Sequence, residues 1–162
     1  MQEARAYSRV EEGLARLGNR WIERSWSTFL GHTVELHQKA GALEWTAEQS
    51  PEFSFEVNDR PIDRMSFDRA HWSEESNPFG AALRCTRFAE SLMLSIHAQA
   101  FHQNAGMLRR VTISNLSNGE LRMRRVRTES LAIAAAGVEA LTHGFQRRSP
   151  AIAWETEEPA AA

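Results

Sequence analysis

Cysteine is nearly absent: Cys85 is the only one in a chain of 162 residues. That excludes an internal disulfide and any cysteine-based zinc site. An excess of one charge is also missing, because the formal net charge is −2. No basic surplus draws in phosphates, so no nucleic-acid partner is expected. No apolar run approaches the ~20 residues of a membrane-spanning helix, and no membrane partner is expected either. The opening, MQEARAYSRVEEG, carries charges where a signal peptide needs an apolar core, which leaves a cytoplasmic location as the default. The six histidines show neither HxxxH nor HExxH spacing, so no metal is expected. No GxSxG elbow exposes a nucleophile, no internal repeat stands out, and no cofactor is implied.

What is present is ordinary for a soluble globular chain: 42% hydrophobic and 25% charged residues. A single domain of this length buries roughly 70% of its unfolded surface. The organising stretch runs from Gly106 to Ile133. Val111 and Ile113 alternate with Arg110, Thr112 and Ser114, the period of a half-buried strand. Asn115-Leu116-Ser117-Asn118-Gly119 supplies turn residues, and Leu121 and Met123 reopen the alternation. Val126 falls on the other parity, which predicts a bulge or burial on both faces. The expectation is an antiparallel hairpin at the centre of an all-β domain.

Elsewhere the same period recurs. Phe53, Phe55 and Val57 share one face of a strand over 52–57, which Asn58-Asp59-Arg60-Pro61 ends. Leu83, Cys85 and Arg87 share another, and Leu92, Leu94, Ile96, Ala98 and Ala100 share a third, with Ala89-Glu90-Ser91 as the hairpin link. Strands are also expected over Trp21 to Trp26, around Val34 and Leu36, and at Leu43 to Trp45. Residues 62–80 are less regular and predict a strand or two followed by a long polar loop. Tyr7, Val10, Leu14 and Leu17 fall at helical spacing, so the start is expected to be helical or mobile before Gly13 and extended from about Leu14. After Ile133, alanines lean toward helix and then an acidic tail. The expected layout is an extension over 1–12, a sandwich over 13–145 and an Ala-rich acidic tail over 146–162. The fold class expected is an antiparallel β-sandwich with short helical or irregular segments at the termini.

Several weak motifs in order carry a resemblance. LGNRWIERSWS, with Gly18-Asn19 at a first hairpin and Glu23-Arg24 in the second strand, is followed by Thr33, by Gly41 to Trp45 and by SPEFSFEVNDRPI. Later, Arg109-Arg110 precedes a strand ending at Asn115, then a turn, then Leu121 to Leu131. Together these resemble the N-terminal β-sandwich, or supersandwich, of α-galactosidase-type glycoside hydrolases, a galactose-mutarotase-like sandwich. The resemblance implies a non-catalytic role in carbohydrate metabolism, because in that family the reacting carboxylates lie in a following (β/α)8 barrel. A retaining glycosidase needs two carboxyl groups roughly 5 Å apart, and neither is carried onto a residue here. It further implies carbohydrate as a ligand, a (β/α)8 catalytic domain or partner chain beside the sandwich, and self-association into a homo-oligomer if a sheet is cut short. Two alternatives stand beside it: a stand-alone carbohydrate-binding protein, and a mutarotase-like isomerase assembled from His71, His102, Glu74 and Glu75.

The conspicuous residues have two readings each. Arg109, Arg110, Arg122, Arg124, Arg125 and Arg127 suit a polyanion or an acidic sugar, but the expected reading is a solvated sheet face partnered by Glu120 and Glu129. Trp21, Trp26 and Trp45 are expected in the core. Trp72, in the polar segment, is the candidate substrate-binding residue, since an indole face suits the apolar face of a pyranose.

Overall fold

In the computed structural model, which describes residues 5–39, 43–44 and 52–130, the alternating segments become twelve strands. They are β1 (Tyr7–Glu11), β2 (Leu14–Gly18), β3 (Ile22–Ser27), β4 (Thr33–Gln38), β5 (Leu43–Glu44) and β6 (Glu52–Val57). There follow β7 (Arg60–Asp63), β8 (His71–Asn77), β9 (Gly80–Ala89), β10 (Leu92–Phe101), β11 (Met107–Asn115) and β12 (Met123–Ser130). One 3-10 turn, Arg64–Ser66, is capped by Asp63, and the described residues contain no α-helix. None of them forms a helix long and apolar enough to cross a membrane.

Three antiparallel sheets result, an all-β sandwich-like architecture. The first sheet runs β1-β2-β3-β4-β5, and the second runs β11-β10-β9-β8, both simple meanders. The third, β12-β6-β7, is closed by a strand from far along the chain. Turn chemistry explains the sharp corners. Asn58 and Asp59, both at positive φ (51° and 62°), supply the left-handed pair that a tight β6–β7 hairpin requires. Pro61, which cannot donate to a ladder, sits on the edge strand β7. Gly80 has no room for a side chain, because a Cβ there would lie 1.9 Å from the Ala100 carbonyl oxygen.

The second sheet packs both other sheets on one inward face, which splits in two. Leu92, Leu94, Ile96 and Cys85 pack with Phe53, Phe55 and Val57 of the third sheet and with Phe67. Ala81, Leu83, Ala98 and Ala100 pack with Ala15, Leu17 and Trp26 of the first sheet.

Sequence periodicity locates β6, β9, β10 and the Glu90-Ser91 turn as found. Two expectations are corrected. Tyr7–Glu11 is a strand paired with β2, not a helix, because Gly13 at φ 86° turns the chain back and Val10 pairs with Ala15. The central hairpin is not formed either: β11 pairs with β10, while β12 pairs with β6 in another sheet. Residues 116–122 make the crossover. Asn115 folds the turn onto itself, its Nδ2 donating to the Gly119 carbonyl and its Oδ1 accepting from Ser117. Arg122 is then captured by Asn58, which donates to its carbonyl and accepts from its N–H. The expected bulge is present, with register shifts around Arg127 and Arg125 at φ 49°. Expectations for Trp45 and for the segment after Ile133 fall outside the described residues.

Candidate functional site

Polar groups buried inside this apolar frame are the first place to look for chemistry, since each must be satisfied or is costly. Asn19, 1% exposed, follows Gly18 at the β2–β3 corner and uses its whole amide. Its Nδ2 donates to the carbonyls of Phe101 and Asn104, and its Oδ1 accepts from the N–H groups of Trp21 and Ile22. One side chain thus ties the first sheet to the end of β10.

A buried carboxylate makes the second joint. Glu52, fully enclosed at the start of β6, meets the Arg24 Nη2 of β3 at 3.0 Å and the Arg109 Nη2 of β11 at 3.4 Å. Its other oxygen accepts from the Thr33 N–H of β4, and the Thr33 hydroxyl accepts from Arg24 Nε. Arg109 also donates to the Thr128 carbonyl of β12. All three sheets therefore meet at Glu52. A buried carboxylate held by two guanidiniums and a backbone N–H acts as a structural anchor. The expectation that Arg109 lies on a solvated face is corrected, because its side chain is 9% exposed. Arg124 and Arg125 do reach solvent, and Asp59 and Glu56, across β6 and its turn, pair with them.

Among the described residues, the surface has a cleft of about 360 Å³ between the β1–β2 turn and the start of β8. Glu11, Glu12, Thr28, Arg69, His71 and Trp72 line it. Two carboxylates, a guanidinium, an imidazole and an indole in one shallow site are suited to a polyhydroxylated small molecule. Trp72 is not in a loop: β8 is a strand with one solvent face, and its charged residues make it read as polar. Its ring lies 5.7 Å from that of Trp26 and packs against both apolar clusters. The Trp72 Nε1 is shielded from solvent and has no acceptor among the described residues.

Other sequence candidates are kept apart. Glu74 and Glu75 point to opposite faces of β8, as neighbours on a strand must. Glu74 accepts from the Val10 N–H, whereas Glu75 pairs with Arg84 and His97. His102 Nδ1 accepts from the Ala6 N–H, and His71 is exposed at the cleft. The four residues of an isomerase site are thus not assembled. Trp26 is in the core as expected, while Trp21 is half-buried beneath Arg20, whose guanidinium lies 3.8 Å from the ring centre. Among the described residues no three His, Cys, Asp or Glu groups cluster to hold a metal. Cys85 is inert, because burial pushes its thiol up to about 12, against the smaller pull of Arg87 and Arg109. Sequence reasoning passed over Glu52 and Arg87, whose guanidinium donates to the carbonyls of Asp68, Leu30 and Phe67. Arg87 sits on the apolar face of a clean alternation, which signals burial but says nothing of partners, whereas Glu52 falls on the polar parity with Ser54 and Glu56 and reads as exposed.

His32, beside the Glu52 joint, gives a pH dependence. Partial burial lowers its basicity below the usual value of 6.5, and the charge on Arg64 lowers it further, against the opposing pull of Glu52. A histidine with a depressed folded value stabilises above its unfolded value, and that contribution is lost as pH falls through the folded one. Unfolding free energy is therefore expected to fall as pH drops below about 6.5. The drop should be shallower in His32→Gln; identical urea titrations of both proteins between pH 7 and 5 would refute this. Compared with known proteins, the chain matches no family model, no curated protein and no solved structure.

Proposed function

We propose that this chain is a non-catalytic β-sandwich domain of carbohydrate metabolism, of the kind that precedes the barrel in α-galactosidase-type glycoside hydrolases. Its role is to pack beside a (β/α)8 catalytic domain or partner chain and to contribute to the rim of a sugar site. One observation supports the reading above others. The residues that carry the resemblance, Gly18-Asn19, Arg24 and Arg109, are the ones whose buried polar contacts join the sheets. This coincidence of motif positions and structural joints supports the reading. The cleft at Trp72 is the sugar-facing element in this reading.

The test has two arms. The purified chain should not hydrolyse aryl α-galactosides, whereas robust turnover abolished by one Asp or Glu substitution would overturn the non-catalytic reading. Galacto-oligosaccharides should shift the NMR resonances of Trp72, His71 and Arg69, and Arg69→Ala should weaken that response by about three- to tenfold. Absence of any shift at millimolar sugar would remove the rim role. The stand-alone carbohydrate-binding protein is the second reading; the cleft favours it equally, and sugar affinity that a supplied barrel chain does not alter would select it.

A further inference from the structure

The outer face of the second sheet faces solvent, and its cross-strand registers align side chains in rows. Arg84, His97 and Arg110 stand directly opposite one another across β9, β10 and β11. Consecutive members lie about 5 Å apart, so the row spans roughly 10 Å. Thr86, Ser95 and Thr112 form the neighbouring row on the same face, and Gln99 stands on its other side, two residues along β10 from His97.

Arg84 and Arg110 flank His97 on this face, and exposed guanidiniums on a sheet favour carboxylate partners. Glu75 is the carboxylate the sheet supplies. Its Oε1 takes the Arg84 Nε at 2.7 Å and its Oε2 faces the His97 Nε2 at 3.4 Å. Contact with Arg84 holds the Glu75 carboxyl below the usual carboxylate range. Arg110, exposed on β11, has no acidic partner among the described residues. Glu75 thus serves Arg84 and His97, and the unmatched Arg110 charge sits beside a row of hydroxyls and an amide. A guanidinium recognises a carboxylate through paired N–H donors, and hydroxyl and amide side chains recognise sugar hydroxyls.

We infer that this face binds an acidic saccharide, with a sugar carboxylate seated at His97 and Arg110 and the ring hydroxyls against Ser95, Thr112 and Gln99. The inference rests on the carbohydrate reading for its ligand class, but it concerns a different surface from the cleft at Trp72. Calorimetry and NMR with trigalacturonate, maltotriose and inorganic sulfate test it on the intact chain. Trigalacturonate should bind and shift Arg110 and His97 resonances, and Arg110→Gln should weaken binding about tenfold. Glu75→Gln removes the competing carboxylate and should strengthen binding about threefold. Both positions are on the solvent side, so the variants fold as the parent does. No binding, equal binding of maltotriose, sulfate binding as tightly as the saccharide, or an unaffected Arg110→Gln would each overturn the inference. Its failure leaves a distinct signature from failure of the cleft reading, because neutral galacto-oligosaccharides would still move Trp72 and Arg69 resonances.

Discussion

Glu52→Leu is expected to lower the unfolding free energy by roughly 3–5 kcal/mol, because it removes the carboxylate that two buried guanidiniums share. Side-chain exposures are 6% for Arg24, 9% for Arg109 and 0% for Glu52, so water cannot take over the lost role. The Thr33 N–H loses its acceptor in the same step. Glu52 also sits at φ 70°, a left-handed conformation that a side-chain-bearing residue adopts only when its surroundings hold it there. Leucine brings no contact that would do so. Glu52→Gln keeps shape and an acceptor and should lose less. Replacing Glu52, Arg24 and Arg109 together by apolar residues of similar volume should recover much of the loss, since burying three charged groups is costly in itself. Urea denaturation is the measurement; a loss under about 1 kcal/mol in Glu52→Leu would show that the joint carries little of the stability.

Phe53→Ala should cost roughly 3–5 kcal/mol by the same measurement. Its ring is 2% exposed, stacks on Phe55 at 6.0 Å and meets Phe67 edge-on at 5.6 Å. Truncation would leave a cavity between the second and third sheets that β-strand backbones, locked in their ladders, cannot collapse to fill. Phe79, 73% exposed in the β8–β9 turn, is the control, and its alanine variant should stay within about 0.5 kcal/mol of the parent. Equal effects at the two positions would mean that the inward face of β6 is assigned wrongly.

These two neighbours also mark what a sequence can and cannot disclose. Phe53 was legible because period-two alternation reports which face is apolar, and the same signal located β9 and β10 with their turn. Glu52 was not, because alternation puts it on the polar parity with Ser54 and Glu56 and says nothing of the partners that bury it. Its partners come from β3, β4 and β11, up to 57 residues away. The N-terminal strand was misread since Tyr7, Val10, Leu14 and Leu17 satisfy a helical period by coincidence, and only pairing with β2 decides between the two. The central stretch failed for a related reason. Asn-Gly at a turn marks a reversal, but β11 and β12 reverse into different sheets once Asn58 seizes the outgoing chain. At the candidate site, Trp72 was picked out by its polar neighbours. Those neighbours belong to an exposed strand face, while the indole itself packs inward against Trp26.

The crossover that sends β12 to β6 sets the order in which the molecule can be completed. Strands β8 to β11 each pair with the next in sequence, so that meander closes only short loops and can assemble as soon as it leaves the ribosome. β6 and β7 are synthesised earlier, yet one flank of β6 stays open until Arg124 reaches Glu56, 68 residues later. During that interval β6 presents an open edge to any other nascent chain, as an unpaired strand does. At about 5–20 residues per second, ribosomal elongation keeps the edge exposed for roughly 3–14 seconds. Arrival of β12 is the event that seals it.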